Sequence, residues 1–196
     1  MKRYLTLAFT LLLTSAVFAQ SGYRIGAKVS DFVLKDAQDR AIPLSSFKDA
    51  KVVVVVFTSV KCPNSKLYEA RLQNISQAYG GRGVNFVFVN AAIGLDEGSA
   101  KTQPDNPNGN PTFPYLVDEG QQLSKQFGAT KAPEVFVLQN TADGFVLRYK
   151  GAIDDNPQVE SYVKENYLRS ALDDVLAGRT VSTPERRATG CLIKRF

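Results

Sequence analysis

The residues best suited to chemistry in this 196-residue chain are its two cysteines, Cys62 and Cys191. The chain has no histidine, which excludes Cys-His and Ser-His catalysis and every His-ligated metal site. Two thiols are too few for a four-cysteine zinc site and allow at most one internal disulfide. Cys62 has the more telling surroundings. It follows the β-branched run at 52–57 and a short loop, and stands immediately before Pro63 and a stretch of helical periodicity. Proline suits a first helical turn, where its missing N–H costs no hydrogen bond. A sulfur placed there faces the positive end of the helix dipole, and Lys61 acts in the same direction. The thiol pKa is therefore expected below the ordinary value of ~8.5. Strand, turn, Cys, Pro, helix is a local recipe for a nucleophilic thiolate. The competing reading is a buried, inert cysteine.

The elements around Cys62 alternate in type. Residues 32–34 read as a short strand after a loop-like stretch at 26–30. The unbroken run at 52–57 has the signature of a strand buried on both faces. From Pro63 to about Tyr79, the residues Tyr68, Leu72, Ile75 and Tyr79 share one helical face. Gly80 and Gly81 are expected to stop that helix. Residues 84–89 form the next strand, with the short link of a βαβ unit. Residues 92–114 read as a surface loop, 115–117 as a strand and 121–127 as a helix. Residues 134–138 and 145–149 flank a turn-rich 140–144 and predict a hairpin. A last helix is expected over 162–176, with Leu168, Leu172 and Val175 along one side. The order implies an α/β fold with a central mixed β-sheet flanked by helices.

Residues 1–19 read as an address. Lys2 and Arg3 precede a short apolar run, and Val17 and Ala19 are small residues at the −3 and −1 positions of a cut. That is a secretory signal peptide, too short in its apolar part to span a bilayer. It predicts export to the periplasm or beyond, with no stable membrane anchor after cleavage, and a compartment where disulfides persist. Cleavage removes two cations and no acid, lowering the net charge from +5 to +3. The remaining cations are scattered. Arg179, Arg186, Arg187, Lys194 and Arg195 read as a solvated tail, so no nucleic-acid partner is expected. The domain scheme is leader 1–19, globular domain 20–180 and tail 181–196 carrying Cys191. The acidic turn Asp154-Asp155-Asn156-Pro157 lacks calcium-loop spacing, and Gly80-Gly81-Arg82-Gly83 lacks the Lys and Ser/Thr of a phosphate loop. The sequence calls for no metal and no cofactor. Asn74-Ile75-Ser76, a glycosylation triplet, falls on the predicted helix and reads as chance.

Ser59-Val-Lys-Cys62-Pro-Asn-Ser65-Lys-Leu-Tyr-Glu-Ala-Arg-Leu72 resembles the active-site segment of thioredoxin-fold redoxins, and more narrowly the peroxiredoxin-like branch of the AhpC/TSA group. The resemblance continues through Phe113-Pro-Tyr-Leu-Val-Asp118, Phe127-Gly-Ala-Thr-Lys-Ala-Pro-Glu-Val-Phe136, Arg148-Tyr-Lys-Gly-Ala-Ile-Asp-Asp-Asn156 and Ala188-Thr-Gly-Cys-Leu-Ile-Lys194. It implies a thioredoxin-like fold. By the same resemblance the Ala132–Pro133 bond is cis and packs against the reactive cysteine. Ala132 then offers backbone groups to an incoming peptide, with Glu134 a candidate acid nearby or an ordinary strand-end carboxylate. Ser59 matches the Ser/Thr that peroxiredoxins keep three residues before the cysteine.

The departures from these families fall on the chemistry. The second cysteine of a thioredoxin dithiol is Ser65 here, able to donate to a thiolate and unable to resolve a mixed disulfide. The buried thioredoxin carboxylate is replaced by Val56, and the peroxiredoxin proline by Val55. The peroxide-activating arginine would fall near Pro133, so Arg148 would have to be brought in by the fold. Related proteins often carry a cysteine where Lys131 stands. The remaining internal partner for Cys62 is Cys191, in a tail where the apolar trio Cys191, Leu192 and Ile193 beside Gly190 suggests docking on the domain; it either forms a structural bond, acts as resolving thiol, or packs elsewhere as a hydrophobe. Three functions stay open. The first is an exported thiol–disulfide oxidoreductase with Cys62 as nucleophile, Ser59, Pro63 and Ser65 supporting the thiolate, and Ala132, Pro133 and Glu134 shaping the groove. Its partners would be protein thiols or disulfides and an external thiol reductant. The second is a thiol-dependent peroxidase, with peroxide as substrate and Cys62 as the peroxidatic cysteine. The third is a non-catalytic domain locked by a Cys62–Cys191 disulfide.

Overall fold

In a computed structural model, the described residues are 22–36, 38–93 and 115–194. The expected leader and most of the expected 92–114 loop lie outside them. The strands are β1 (Val33–Lys35), β2 (Ala41–Pro43), β3 (Val52–Thr58), β4 (Val84–Asn90), β5 (Tyr115–Val117), β6 (Lys131–Ala132), β7 (Glu134–Thr141), β8 (Gly144–Gly151), β9 (Glu185–Arg186) and β10 (Cys191–Leu192). The helices are α1 (Pro63–Gly80), α2 (Gln122–Phe127) and α3 (Tyr167–Leu176).

Eight strands form one mixed sheet in the order β2-β1-β5-β4-β3-β7-β8-β9. β3 is its centre, parallel to β4 and antiparallel to β7. All seven residues of β3 are buried, because each face of the strand meets a different core. Val52, Val54 and Val56 pack with Tyr68, Leu72, Ile75 and Tyr79 of α1 and Leu168, Leu172 and Val175 of α3. Val53, Val55 and Phe57 pack on the opposite side with Leu123 and Phe127 of α2. Successive strand side chains alternate faces, so a run of five valines is what a strand between two helical layers needs. On the α2 side, Phe127 meets Tyr23, Phe32 and Phe136 edge-on at centroid separations of 5.2, 5.9 and 5.1 Å, a favoured aromatic arrangement.

One expected boundary is corrected. The last helix begins at Tyr167 instead of 162, and Glu160–Tyr162 is a separate 3-10 turn. Its upstream backbone is used elsewhere: Asp155 accepts hydrogen bonds from the Lys164 and Glu165 N–H groups at 2.9 and 3.1 Å. α1 stops at Gly80 with Gly81 as its C-cap, as expected, although Gly81 is right-handed at φ −64°. The left-handed residue of that turn is Gly83 at φ 86°. The tail docks on the domain as expected, while Arg179, Arg186 and Arg187 stay exposed. β9 pairs in parallel with Lys150 and Gly151 of β8, and β10 pairs with β6 in a second small sheet. Gly151, at φ 128°, has no room for a Cβ against the Arg186 backbone, so glycine is what lets β9 approach. Arg179 pairs with Asp174 at 2.9 Å, and the Arg186 guanidinium lies 5.3 Å from the Tyr167 ring centre.

Candidate functional site

The sheet register brings the two halves of the site together. Phe57 near the end of β3 pairs with Glu134 at the start of β7. The loop leaving β3 toward Cys62 therefore lies beside the loop carrying Ala132 and Pro133. Cys62 is the N-cap of α1, with extended backbone (φ −88°, ψ 120°), and Pro63 occupies the first helical turn. The β3–α1 connection is closed by local bonds. The Cys62 N–H donates to the Ser59 carbonyl at 3.0 Å, and the Ser59 N–H donates to Ser65 Oγ at 3.2 Å. The Val60 N–H reaches Asn90 Oδ1, at the end of β4, at 3.4 Å. Ser59 Oγ is buried without a hydrogen-bond partner among the described residues.

Cys62 and Cys191 are joined by a disulfide, with Cα atoms 6.0 Å apart across 129 residues of sequence. Cys62 is 0% exposed, whereas Cys191 keeps partial exposure. The Ala132–Pro133 peptide bond is cis, and the Ala132 carbonyl oxygen lies 3.2 Å from Cys62 Sγ. A disulfide sulfur has no proton to donate, so this is a contact that becomes a hydrogen bond only when Cys62 is a thiol. That carbonyl opposes the thiolate, while the α1 N-terminus favours it.

The tail approaches as a strand. Cys191 pairs antiparallel with Ala132 and Leu192 with Lys131. The Ile193 N–H donates to the Thr130 carbonyl and the Lys194 N–H to the Ala92 carbonyl, both at 3.1 Å. Glu134 braces this edge from behind. Its carboxylate accepts from the Thr130 N–H at 2.7 Å and the Lys131 N–H at 3.1 Å. Burial nevertheless pushes its pKa above the ordinary glutamate value, against those two hydrogen bonds and the nearby Lys150 charge. Glu134 is thus a carboxylate that holds the β6 backbone, not a free strand-end acid.

Arg148 is not brought in. It lies on β8, and its Nε donates to Gln139 Oε1 at 2.7 Å. Gln139 pairs with Val52 at the opposite end of β3 from Cys62, a strand length or roughly 20 Å away at ~3.3 Å per residue. Nor does Arg71 serve the sulfur. It is buried in α1 and paired with Asp154, which also accepts from the Tyr68 hydroxyl at 2.7 Å. Burial, then that carboxylate, raises the Tyr68 pKa. The triad fastens α1 to the segment after β8. Among the described residues no group of three or more Cys, Asp or Glu side chains is placed to hold a metal ion.

Of the residues singled out in the sequence, Cys62, Pro63, Ala132, Pro133 and Cys191 converge at one place. Ser59 and Ser65 build the turn beneath. The structure seats the docking tail through Gly190 and Ile193. The available signal was a glycine directly before the second cysteine and a buried-type aliphatic two residues after it.

A central β3 flanked by parallel β4 and antiparallel β7, with a cysteine at the α1 N-cap beside a cis-proline, defines a thioredoxin-like fold. The AhpC/TSA family model matches residues 25–160, and the chain belongs to that family. Among solved structures, it is similar to a hypothetical protein from Sinorhizobium meliloti 1021, with 30% identity, a TM-score of 0.76, and coverage of 89% of this chain and 96% of that one. An uncharacterized conserved protein from Geobacillus kaustophilus follows, with 27% identity, a TM-score of 0.74, and coverage of 88% and 93%. A putative thiol:disulfide interchange protein from Chlorobium tepidum shares the fold at 18% identity and a TM-score of 0.56, covering 78% of this chain and 98% of that one. No curated protein sequence matches.

Proposed function

We propose that the chain is an exported thiol–disulfide oxidoreductase in which Cys62 is the nucleophile and Cys191 the resolving thiol. The observation that carries this reading is the Cys62–Cys191 disulfide itself, formed at the α1 N-cap against the cis-proline loop by a tail strand. In the reduced chain, the Cys62 thiolate attacks a sulfur of a protein disulfide, and one partner thiol leaves. Cys191 then attacks Cys62 Sγ in the mixed disulfide and expels the second partner thiol. The partner gains two electrons, and the chain ends as the disulfide. An external thiol reductant returns it to the dithiol. That thiol reaches Cys191, which retains exposure, and expels Cys62, whose thiolate is the better stabilised leaving group. Ser59, with its unpartnered buried hydroxyl, and Ser65 support the thiolate.

The pH dependence of Cys62 alkylation in the reduced Cys191→Ser variant tests the reading, with Cys62→Ser as control. An apparent pKa well below ~8.5, together with insulin reduction by the wild type, is the expected result. An inert or unshifted thiol overturns it and leaves a domain locked by its disulfide. A peroxidase passing through Cys62 sulfenic acid would arrive at the same disulfide with loss of water. The remote position of Arg148 disfavours that route, and peroxide consumption slower than insulin reduction is expected.

A further inference from the structure

The tail does more than carry a thiol. It lies in the groove beside Pro133 as an extended strand, joined to Cys62 through its own cysteine, which is the arrangement of a mixed disulfide with a bound peptide. Each of its residues meets a different environment. A Cβ on Gly190 would overlap the Ala132 carbonyl, so the position before the cysteine admits only the smallest residue. Leu192 points outward and is 67% exposed. Ile193 is 4% exposed and belongs to the same core as Phe57, Phe127 and Ala132. The strand bonds to Thr130 and Ala92 read backbone alone and are open to any sequence. On the side of α2 the tail borders a cavity of about 760 Å³, lined by Thr130, Glu134, Ala188 and Ile193 among others, so the strand is not walled in.

We propose that residues 190–193 are a built-in pseudosubstrate, and that the partner protein presents an extended segment of the form Gly-Cys-x-aliphatic that replaces them in this groove. The proposal rests on Cys62 being a nucleophile and adds which polypeptide it reacts with. When the disulfide opens, the tail and the partner segment compete for the β6 edge. The partner's cysteine sulfur bonds to Cys62, its former disulfide bond breaks, and the departing sulfur leaves with the electron pair. Gly190 and Ile193 thus mark the specificity-determining positions, whereas Leu192 marks an indifferent one.

The test uses the full-length Cys191→Ser chain and the hexapeptide Thr-Gly-Cys-Leu-Ile-Lys, its cysteine activated as a mixed disulfide with thionitrobenzoate. Release of the chromophore reports attack by Cys62. Replacing the peptide's Gly by Val, which sets a side chain against the Ala132 carbonyl, or its Ile by Asp, which loses an apolar burial, is expected to slow release by about tenfold or more. Replacing its Leu by Ala is expected to leave the rate within about twofold, as an exposed side chain predicts. In the double variant Cys191→Ser, Gly190→Val the chain's own tail is displaced, and the parent peptide is expected to react several-fold faster. Equal rates for all four peptides in both variants, while free dithionitrobenzoate still reacts with Cys62, would overturn the pseudosubstrate proposal alone. If the small reagent fails as well, the nucleophile reading falls and the proposal with it.

Discussion

Cys62 and Cys191 differ in burial. Cys62 has no exposure in the oxidised chain, and Cys191 has some, so the tail is the gate to Cys62. Glu134 acts beneath that gate by fixing the Thr130 and Lys131 amides, and its raised pKa, caused first by burial, gives a pH dependence with a definite sign. A carboxyl whose folded pKa exceeds its unfolded value binds its proton more tightly when folded. Its contribution is then fully present below the unfolded pKa and is lost as pH rises through the folded one. Glu134→Gln, which removes the charge and keeps the shape, is therefore expected to match the wild type in acid and to gain relative stability toward neutral pH. Urea midpoints at several pH values check this, and an advantage for the variant in acid that vanished at neutral pH would reverse the assignment.

At the scale of elements, α1 is held by two different devices. One is the apolar face of Tyr68, Leu72, Ile75 and Tyr79 against the even-numbered valines of β3. The other is the buried Arg71–Asp154 pair with the Tyr68 hydroxyl. Removing one member of a buried ion pair leaves the other charge uncompensated, at a cost of about 3–5 kcal/mol. Asp154→Ala is expected to destabilise the chain by that order in chemical denaturation, whereas the exposed, solvent-screened pair Arg82–Asp173 should contribute far less. Equal effects from Asp154→Ala and Asp173→Ala would mean that the buried pair is not what fastens α1. The short strands β6 and β10 have two residues each, and they hold because β10 is anchored at both ends. The disulfide lies on one side and buried Ile193 on the other.

The whole molecule is closed by one covalent link across 129 residues. Cross-linking so long a loop restricts the unfolded chain and stabilises the folded state by up to ~5 kcal/mol on chain-entropy grounds. Denaturant unfolding with and without reductant is expected to show a loss of that order, and Cys62→Ser should show the same loss without reductant. A reduced chain as stable as the oxidised one would mean that the tail stays docked through β10 and Ile193 alone. In the proposed cycle reduction couples to stability: opening the disulfide removes the cross-link that holds the tail as well as freeing the Cys62 sulfur. The proposed export would put the chain in a compartment where this disulfide persists.

The local features of the site were legible because their causes are local. Five valines in a row specify a strand between two helical layers. A proline directly after a cysteine specifies a helix start with sulfur at its positive end. The spacing of Tyr68, Leu72, Ile75 and Tyr79 specifies the face that α1 buries. The late start of α3 was hidden because Asp155, several residues upstream, takes up the amides of Lys164 and Glu165. The tail's docking was legible in its apolar trio beside Gly190, but its strand pairing was not, because strands of two residues leave no periodicity and their partners lie about 35 to 60 residues away. Sequence alone determined the fold class, the family resemblance and the place of Cys62 at the start of a helix. Only the tertiary structure decided that Cys191 is the partner of Cys62, that Arg148 lies at the wrong end of the sheet, and that Gly190 and Ile193 seat the tail. Each of these depends on which strand edges are brought side by side, and that is a property of the assembled sheet, not of any local stretch of chain.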